Sequence, residues 1–254
     1  MRIAVTREVS RQIGRCELSF QERLPIDLGL ARAQHHLYEE CLVELGCRLV
    51  RLAEEPDLPD SVFVEDTAIV LDELAIITRP GALSRRRETE SIALALRPYR
   101  QPVFIKEPGV LDGGDVLQLG KKLFIGMSHR SNEPAIRQAR ESLRAFGYAV
   151  TGIQVKGCLH LKSAVTQVAE DTLLINRDWV DADAFGPMRL IDVHPAEAGA
   201  ANALRVGEVV IFPAAYQRTR HCLTDRGIHV RTLDVSELAK AEGGLTCCSL
   251  VFRA

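Results

Sequence analysis

A strand–turn–strand pattern recurs four times along the chain, and this recurrence limits the fold more than any other feature. The strand pairs read as Thr67–Val70 with Leu74–Thr78, Val116–Leu119 with Lys122–Ile125, Ala164–Val168 with Thr172–Asn176, and Ala203–Val206 with Glu208–Phe212. Polar residues mark the units at Asp66, Asp115, Ser163 and Asn202, at spacings of 49, 48 and 39. Helical signals follow most pairs: about Glu88–Arg97, a segment capped by Asn132 with Pro134 in its first turn, and about Thr219–Arg226. The second of these has an Ile136/Ala139/Leu143/Phe146 stripe and Gly147 as its stop. A repeat of roughly 40–50 residues predicts a closed or stacked array of similar units.

The two ends supply a fifth unit. Arg2–Thr6 and Cys47–Leu52 read as strands. Asp27 can cap a helix running to about Leu45, with Leu37, Cys41, Leu42 and Leu45 as its apolar stripe. The run Glu242–Phe252 reads as a last strand that pairs with the first. The expectation is an α/β fold in one domain spanning residues 1–254, a five-bladed propeller of ββαβ-type units with pseudo-fivefold symmetry. Such a fold leaves a central pocket and no exposed sheet edge. A doubly wound sheet is the competing architecture, but it wants longer β–α alternation. The irregular stretch 11–30 is either a functional, mobile loop or a solvated excursion.

Bulk properties exclude several classes. The net charge of −2 supplies no field toward nucleic acid or membrane, and no apolar run approaches the roughly 20 residues of a membrane span. The start, Met-Arg-Ile-Ala-Val-Thr-Arg, is charged too soon for a signal peptide. Seven cysteines without framework spacing fit a reducing cytoplasm. There is no Cys-x-x-Cys for structural zinc and no glycine signature for a nucleotide. The partner expected is a small-molecule substrate, bound by a monomer or homodimer.

Polar residues at equivalent starts of the units converge on the axis. Cys247, His160, Asp112, Glu65, Asp66 and Asp60 then meet in one pocket. On a strand, Cys247 and Cys248 face opposite ways, with Cys247 taken for the pocket and Cys248 for the core. A one-residue slip exchanges them. A thiolate beside a histidine is a nucleophile with a proton carrier. The surplus of carboxylates suits a cationic substrate. Arg85 and Arg130 recur in register just before helices, where arginine forks and amide ends favour an anion. A pocket acidic at one end and basic at the other fits an amino acid with a cationic side chain, most simply an arginine derivative.

The sequence resembles the dimethylarginine dimethylaminohydrolases (dimethylargininases) of the guanidine-modifying pentein superfamily. The resemblance covers nearly the whole chain. It rests on Pro59-Asp60-Ser-Val-Phe-Val-Glu-Asp66, Ile77-Thr-Arg-Pro-Gly-Ala82 with Ser84-Arg-Arg86, Leu111-Asp-Gly-Gly-Asp-Val116, Leu159-His-Leu-Lys162, Ala201-Asn202 and Leu245-Thr-Cys-Cys-Ser249. It implies the five-unit α/β propeller of the penteins. It also implies Cys247 as nucleophile, His160 as general acid/base and Asp112 as third catalytic group. Asp66 would hold the guanidinium, with Glu65 hydrogen-bonding nearby, to His160. Arg85 and Arg130 would clamp the substrate carboxylate. Asp60 and the Leu18 carbonyl would take the α-amino group, and residues 11–30 would form a lid. Where the family usually carries Asp before the last glycines, this chain has Glu242.

The implied reaction converts methylated L-arginines to citrulline through a covalent Cys247 thiouronium, with no metal or cofactor. Related deiminases carry His-x-Asp, whose Asp grips unsubstituted guanidine nitrogens. Lys162 stands in that place, which favours methylated arginine over arginine. The alternatives are an arginine deiminase-like hydrolase acting on L-arginine, a non-enzymatic binding protein on the same propeller, and a zinc site built from Cys247 and His160.

Overall fold

The computed structural model describes residues 1–254. In chain order its strands are β1 (Arg2–Arg7), β2 (Cys47–Leu52), β3 (Ala68–Val70), β4 (Leu74–Ile77), β5 (Gln101–Phe104), β6 (Val116–Leu119), β7 (Lys122–Met127), β8 (Ala149–Gln154), β9 (Val165–Ala169), β10 (Thr172–Ile175), β11 (Arg189–Asp192), β12 (Leu204–Val206), β13 (Val209–Pro213), β14 (His229–Leu233) and β15 (Leu250–Arg253). Its helices are α1 (Leu28–Glu44), α2 (Glu88–Leu96), α3 (Glu133–Leu143), α4 (Leu161–Ala164), α5 (Gln217–Thr224) and α6 (Ser236–Ala239). None is long and apolar enough to cross a membrane.

The strands make five separate sheets of three, ordered β3–β4–β5, β6–β7–β8, β9–β10–β11, β12–β13–β14 and β15–β1–β2. In each, the first two strands are antiparallel and the third runs parallel to the second. A parallel third strand demands a crossover. Helices α1, α2, α3 and α5 supply four, and a 3₁₀ turn at Ala182–Phe185 supplies the other. This is the ββαβ unit five times over, not a doubly wound sheet. The C-terminal β15 closes the ring by pairing with β1, Val5 opposite Leu250. The sheets do not fuse, so each keeps two edge strands. The expectation of an edge-free closure does not hold, and strand shortness protects the edges instead.

The core is divided to match, into five apolar clusters. Two sequence assignments shift here. In α1 the buried face is Ala31, Gln34, His35, Tyr38, Glu39, Cys41 and Leu42, while Leu37 is 55% exposed. Three polar residues lie on that face, and a purely apolar count misses them. Phe146 lies in a 3₁₀ turn beyond the end of α3, and it is half exposed rather than on the stripe.

The larger correction concerns the cysteine pair. Residues 245–248 form a turn, and the last strand begins only at Leu250. The Cys247 amide donates to the Gly244 carbonyl at 3.2 Å. That i to i−3 bond overrides the β preference of the Thr-Cys-Cys run. Tyr38 secures the turn from α1: its hydroxyl donates to the Leu245 carbonyl at 2.9 Å and meets Ser249 Oγ at 2.6 Å. The two thiols are therefore separated by a turn rather than by strand alternation. Cys248 packs in the cluster beneath, with Cys41, Leu42 and Leu245.

Candidate active site

Each unit enters its first strand through a short turn, and these lead-ins carry the chemistry. A 3₁₀ turn at Val64–Thr67 precedes β3, one at Gly113–Asp115 precedes β6, α4 precedes β9, and the 245–248 turn precedes β15. Residues about 50 positions apart in the sequence thus face one another. The close approach explains the Asp-Gly-Gly-Asp motif. A Cβ on Gly113 would lie 1.9 Å from the Glu65 carbonyl oxygen, and one on Gly114 would lie 2.6 Å from His160 Nδ1.

Asp60, Asp66, Arg85, Arg130, His160 and Cys247 line one small cavity, together with Glu17 and Glu242. Asp112 lies behind it, wholly buried. Its Oδ2 is 3.0 Å from His160 Nε2, and its Oδ1 accepts from the Gly81 amide at 2.8 Å. Asp112 therefore sets the orientation of the imidazole without reaching the cavity itself.

One of the residues named from sequence sits elsewhere. Glu65 does not bond His160. It forms a short ion pair with Lys162 and accepts from Thr246 Oγ1 at 2.7 Å, and both acid and lysine face a cavity at the other end of the axis. Leu18 packs half-buried against the cluster beneath Cys247. Its neighbours are tied to the cavity: the Glu17 amide donates to Asp60 at 3.1 Å, and Arg130 donates to Ser19 Oγ at 3.2 Å.

The electrostatics raise both the thiol and the imidazole. Burial pushes the Cys247 thiol up to about 12, helped by Glu65 and Asp66. The Gly244 amide opposes this by donating to Sγ at 3.3 Å. Burial alone would lower His160, but the Asp66 charge, the Asp112 hydrogen bond and Asp115 together raise it to about 9. Burial would raise Asp66, yet His160 and Arg85 hold it down, at about 2. The resting site thus holds an imidazolium beside a neutral thiol.

Arg85 differs from its expected place at an open helix start. Its guanidinium turns inward to Asp66 at 2.6 Å and Glu88 at 2.9 Å, and it also donates to the carbonyls of Phe63 and Asp60. Glu88, one turn further on, is not a surface counter-charge but the buried partner of Arg85. It is buried, and burial pushes it up to about 7. The Arg85–Glu88 spacing of three along a helical turn is the signal that points to it.

Asp66, Asp112 and His160 offer ligand atoms within 4.8 Å of one another, the geometry of a metal cluster without Cys247. Their electron pairs are already committed. Asp66 accepts from Arg85 and the Gly114 amide, Asp112 from Gly81, and His160 carries a proton. The donor set fits internal pairing better than a cation.

Asp115 supports the site from behind. Its carboxylate is wholly buried and accepts from Ser128 Oγ and Ser131 Oγ, each at 2.6 Å, and from the Leu161 amide at 2.9 Å. Asp115→Ala strands all three donors and is expected to cost about 3 kcal/mol or more in urea unfolding. An unchanged unfolding midpoint would contradict this bracing role.

The family model described as arginine deiminase matches residues 53–202. An N(G),N(G)-dimethylarginine dimethylaminohydrolase of Streptomyces coelicolor is 36% identical, over 98% of this chain and 96% of its own. A solved structure of the Pseudomonas aeruginosa dimethylarginine dimethylaminohydrolase, a cysteine-to-serine variant complexed with citrulline, has TM-score 0.93 at 33% identity, and the match covers 98% of both chains. A dimethylarginine dimethylaminohydrolase adduct with S-methyl-L-thiocitrulline, a histidine-to-glycine variant, has TM-score 0.94 at 33% identity over 99% of this chain and 100% of its own.

Proposed function

The chain belongs to the dimethylarginine dimethylaminohydrolase family of the pentein superfamily, and from that premise we propose that it hydrolyses asymmetric dimethylarginine and monomethylarginine to L-citrulline. The observation that carries this is the cavity itself, where a thiol, an imidazole, several carboxylates and Arg130 line one space. A relative complexed with citrulline and another carrying an adduct with S-methyl-L-thiocitrulline support the same product and a covalent route.

The mechanism assigns Cys247 as nucleophile, His160 as general acid/base and Asp112 as the group that positions His160. Asp66 faces the guanidinium. Arg130 and Arg85 face the α-carboxylate. Asp60 and the Leu18 carbonyl take the α-amino group, with residues 11–30 as the lid. The cationic guanidinium favours the thiolate, and the thiol proton leaves to solvent. Sulfur adds to the guanidinium carbon. His160 gives its proton to the methylated nitrogen, the C–N bond breaks, and dimethylamine or methylamine departs. A cationic thiouronium remains on Cys247. Neutral His160 then takes a proton from water, and the oxygen adds to the same carbon. The C–S bond breaks, the hydroxyl proton passes to sulfur, and citrulline leaves with thiol and imidazolium restored.

Methyl selectivity rests on a missing acid. Lys162 is drawn away to Glu65 and does not line the cavity. Position 162 thus supplies no carboxylate to grip unsubstituted nitrogens, and an acid stranded there by methylation would cost about 1–3 kcal/mol. The arginine deiminase family match favours a second reading, in which L-arginine is the substrate. Citrulline formation from asymmetric dimethylarginine, monomethylarginine, arginine and agmatine separates the two. The methylated arginines are expected to lead in kcat/KM. Faster turnover of arginine would overturn the reading. Agmatine, lacking the carboxylate that Arg130 faces, is expected to trail. The seven cysteines stand as free thiols, six of them buried, which suits a reducing cytoplasm.

A further inference from the structure

Glu242 holds a conformation its residue type disfavours. Its φ is +57°, and every other positive φ in the chain belongs to glycine. The left-handed region is disfavoured by a Cβ and persists only where the surroundings hold it. The surroundings here are the 11–30 segment. The Glu242 carboxylate accepts from three successive amides across the cavity mouth: Ser19 at 3.0 Å, Phe20 at 2.5 Å and Gln21 at 2.7 Å. Three amides converging on one carboxylate make a charge-assisted anchor, stronger than neutral bonds of the same number.

The other ties between this segment and the cavity are of a different kind. Asp60 holds the Glu17 amide and Arg130 holds Ser19 Oγ. Those two residues face the substrate's amino and carboxylate groups in the reading above, so substrate competes for them. Glu242 has no such competitor. It also lies five positions before Cys247, in the stretch that leads into the cysteine turn through Gly244, whose amide reaches the sulfur. That turn has little freedom to move. A Cβ on Gly243 would lie 2.2 Å from Phe63, and one on Gly244 2.5 Å from Asn202.

We infer that Glu242 is a positioning residue, a latch that fixes the 19–21 segment to the nucleophile's own turn and sets how closely the lid covers Cys247. This rests on the lid and substrate roles proposed above. The latch couples two distances, lid to turn and turn to sulfur, through one rigid stretch. The charge matters, because a glutamine keeps one oxygen for the three amides but loses the charge assistance and sets its NH₂ against the Ser19 amide. A backbone at φ +57° suits glycine better, so Glu242→Gly removes the latch while relieving the strain.

The test compares wild type with Glu242→Gly, Glu242→Gln and Glu242→Asp. Three readouts are taken: limited trypsin cleavage after Arg15 and Arg23, iodoacetamide labelling of Cys247, and KM against kcat for asymmetric dimethylarginine. Glycine and glutamine variants are expected to be cut and labelled at least about tenfold faster, with KM raised at least about tenfold and kcat changed less. The melting temperature of Glu242→Gly is expected to equal or exceed the wild type's, and Glu242→Asp to recover part of the protection. Cleavage, labelling and KM all unchanged in the glycine and glutamine variants would overturn the latch. So would a fall in melting temperature in both, with cleavage spread through the chain, since Glu242 would then serve global stability. Cleavage and labelling need no turnover. A wild type inert toward methylated arginines would therefore sink the proposed substrate, while accelerated cutting of the variants would still support the latch.

Discussion

Cys247→Ser is expected to cut citrulline release from asymmetric dimethylarginine by about 10⁴-fold or more, because the groups of a covalent site act as a unit and fail together. Cys248→Ser is expected to leave the turnover of folded enzyme close to wild type. The turn separates the two thiols: Cys247 lines the cavity, whereas Cys248 donates to the Gly244 carbonyl from within the core. Loss of turnover with Cys248→Ser alone would mean that the wrong sulfur has been chosen. The same assignment has a titration signature. Burial, helped by Glu65 and Asp66, holds the Cys247 thiol at about 12. A guanidinium about 4 Å from the sulfur supplies roughly 4 kcal/mol at an effective dielectric of 20, or about three pH units in favour of the thiolate. The midpoint of Cys247 alkylation is therefore expected to move downward when an unreactive guanidine is bound. An unmoved midpoint would leave the sulfur without its means of activation.

The fivefold repeat was legible because each unit needs the same local signals. An apolar pair of strands around a tight turn, a capped helix and a polar lead-in survive as pattern even where identity does not. The convergence of Cys247, His160, Asp60, Asp66, Arg85 and Arg130 on one cavity follows from that pattern, since equivalent lead-ins of a ring must face its axis. What sequence could not carry was the partner of each charge. Glu65 and His160 look adjacent when only their units are known, yet Lys162 and Thr246 take the carboxylate first. Arg85 reads as a free cation until Glu88 turns in beneath it. The cysteine turn failed for a different reason: its Thr-Cys-Cys run favours a strand, and one local backbone bond to Gly244 decides otherwise. Glu242 gave no local sign of its role, because its three partners lie more than 220 positions away in the chain.

His160→Ala is expected to lower kcat by about 10²–10⁴-fold, the usual worth of a positioned acid/base. Asp112→Asn tests how that acid is poised. His160 stands at about 9, above its ordinary 6.5, through the charge of Asp66, the Asp112 hydrogen bond and Asp115, against the pull of burial. The folded value is the raised one, so the stabilisation from charged His160 is fully present below about 6.5 and is lost as pH rises through about 9. Activity follows the same window, because the first half-reaction needs the proton on His160. kcat/KM is thus expected to fall on the alkaline side near 9 in the wild type. In Asp112→Asn the neutral amide no longer holds the imidazolium, and the alkaline limb should move toward neutrality, along with the pH at which urea stability begins to decline. Asp66 shows the opposite sign: held at about 2, its contribution is present above 3.8 and vanishes only in strong acid, so it does not shape the neutral range. An alkaline limb unmoved in Asp112→Asn would show that Asp112 does not tune His160. A His160→Ala variant retaining most of its kcat would show that the leaving amine takes its proton from elsewhere. The two variants together separate the position of the acid from its identity.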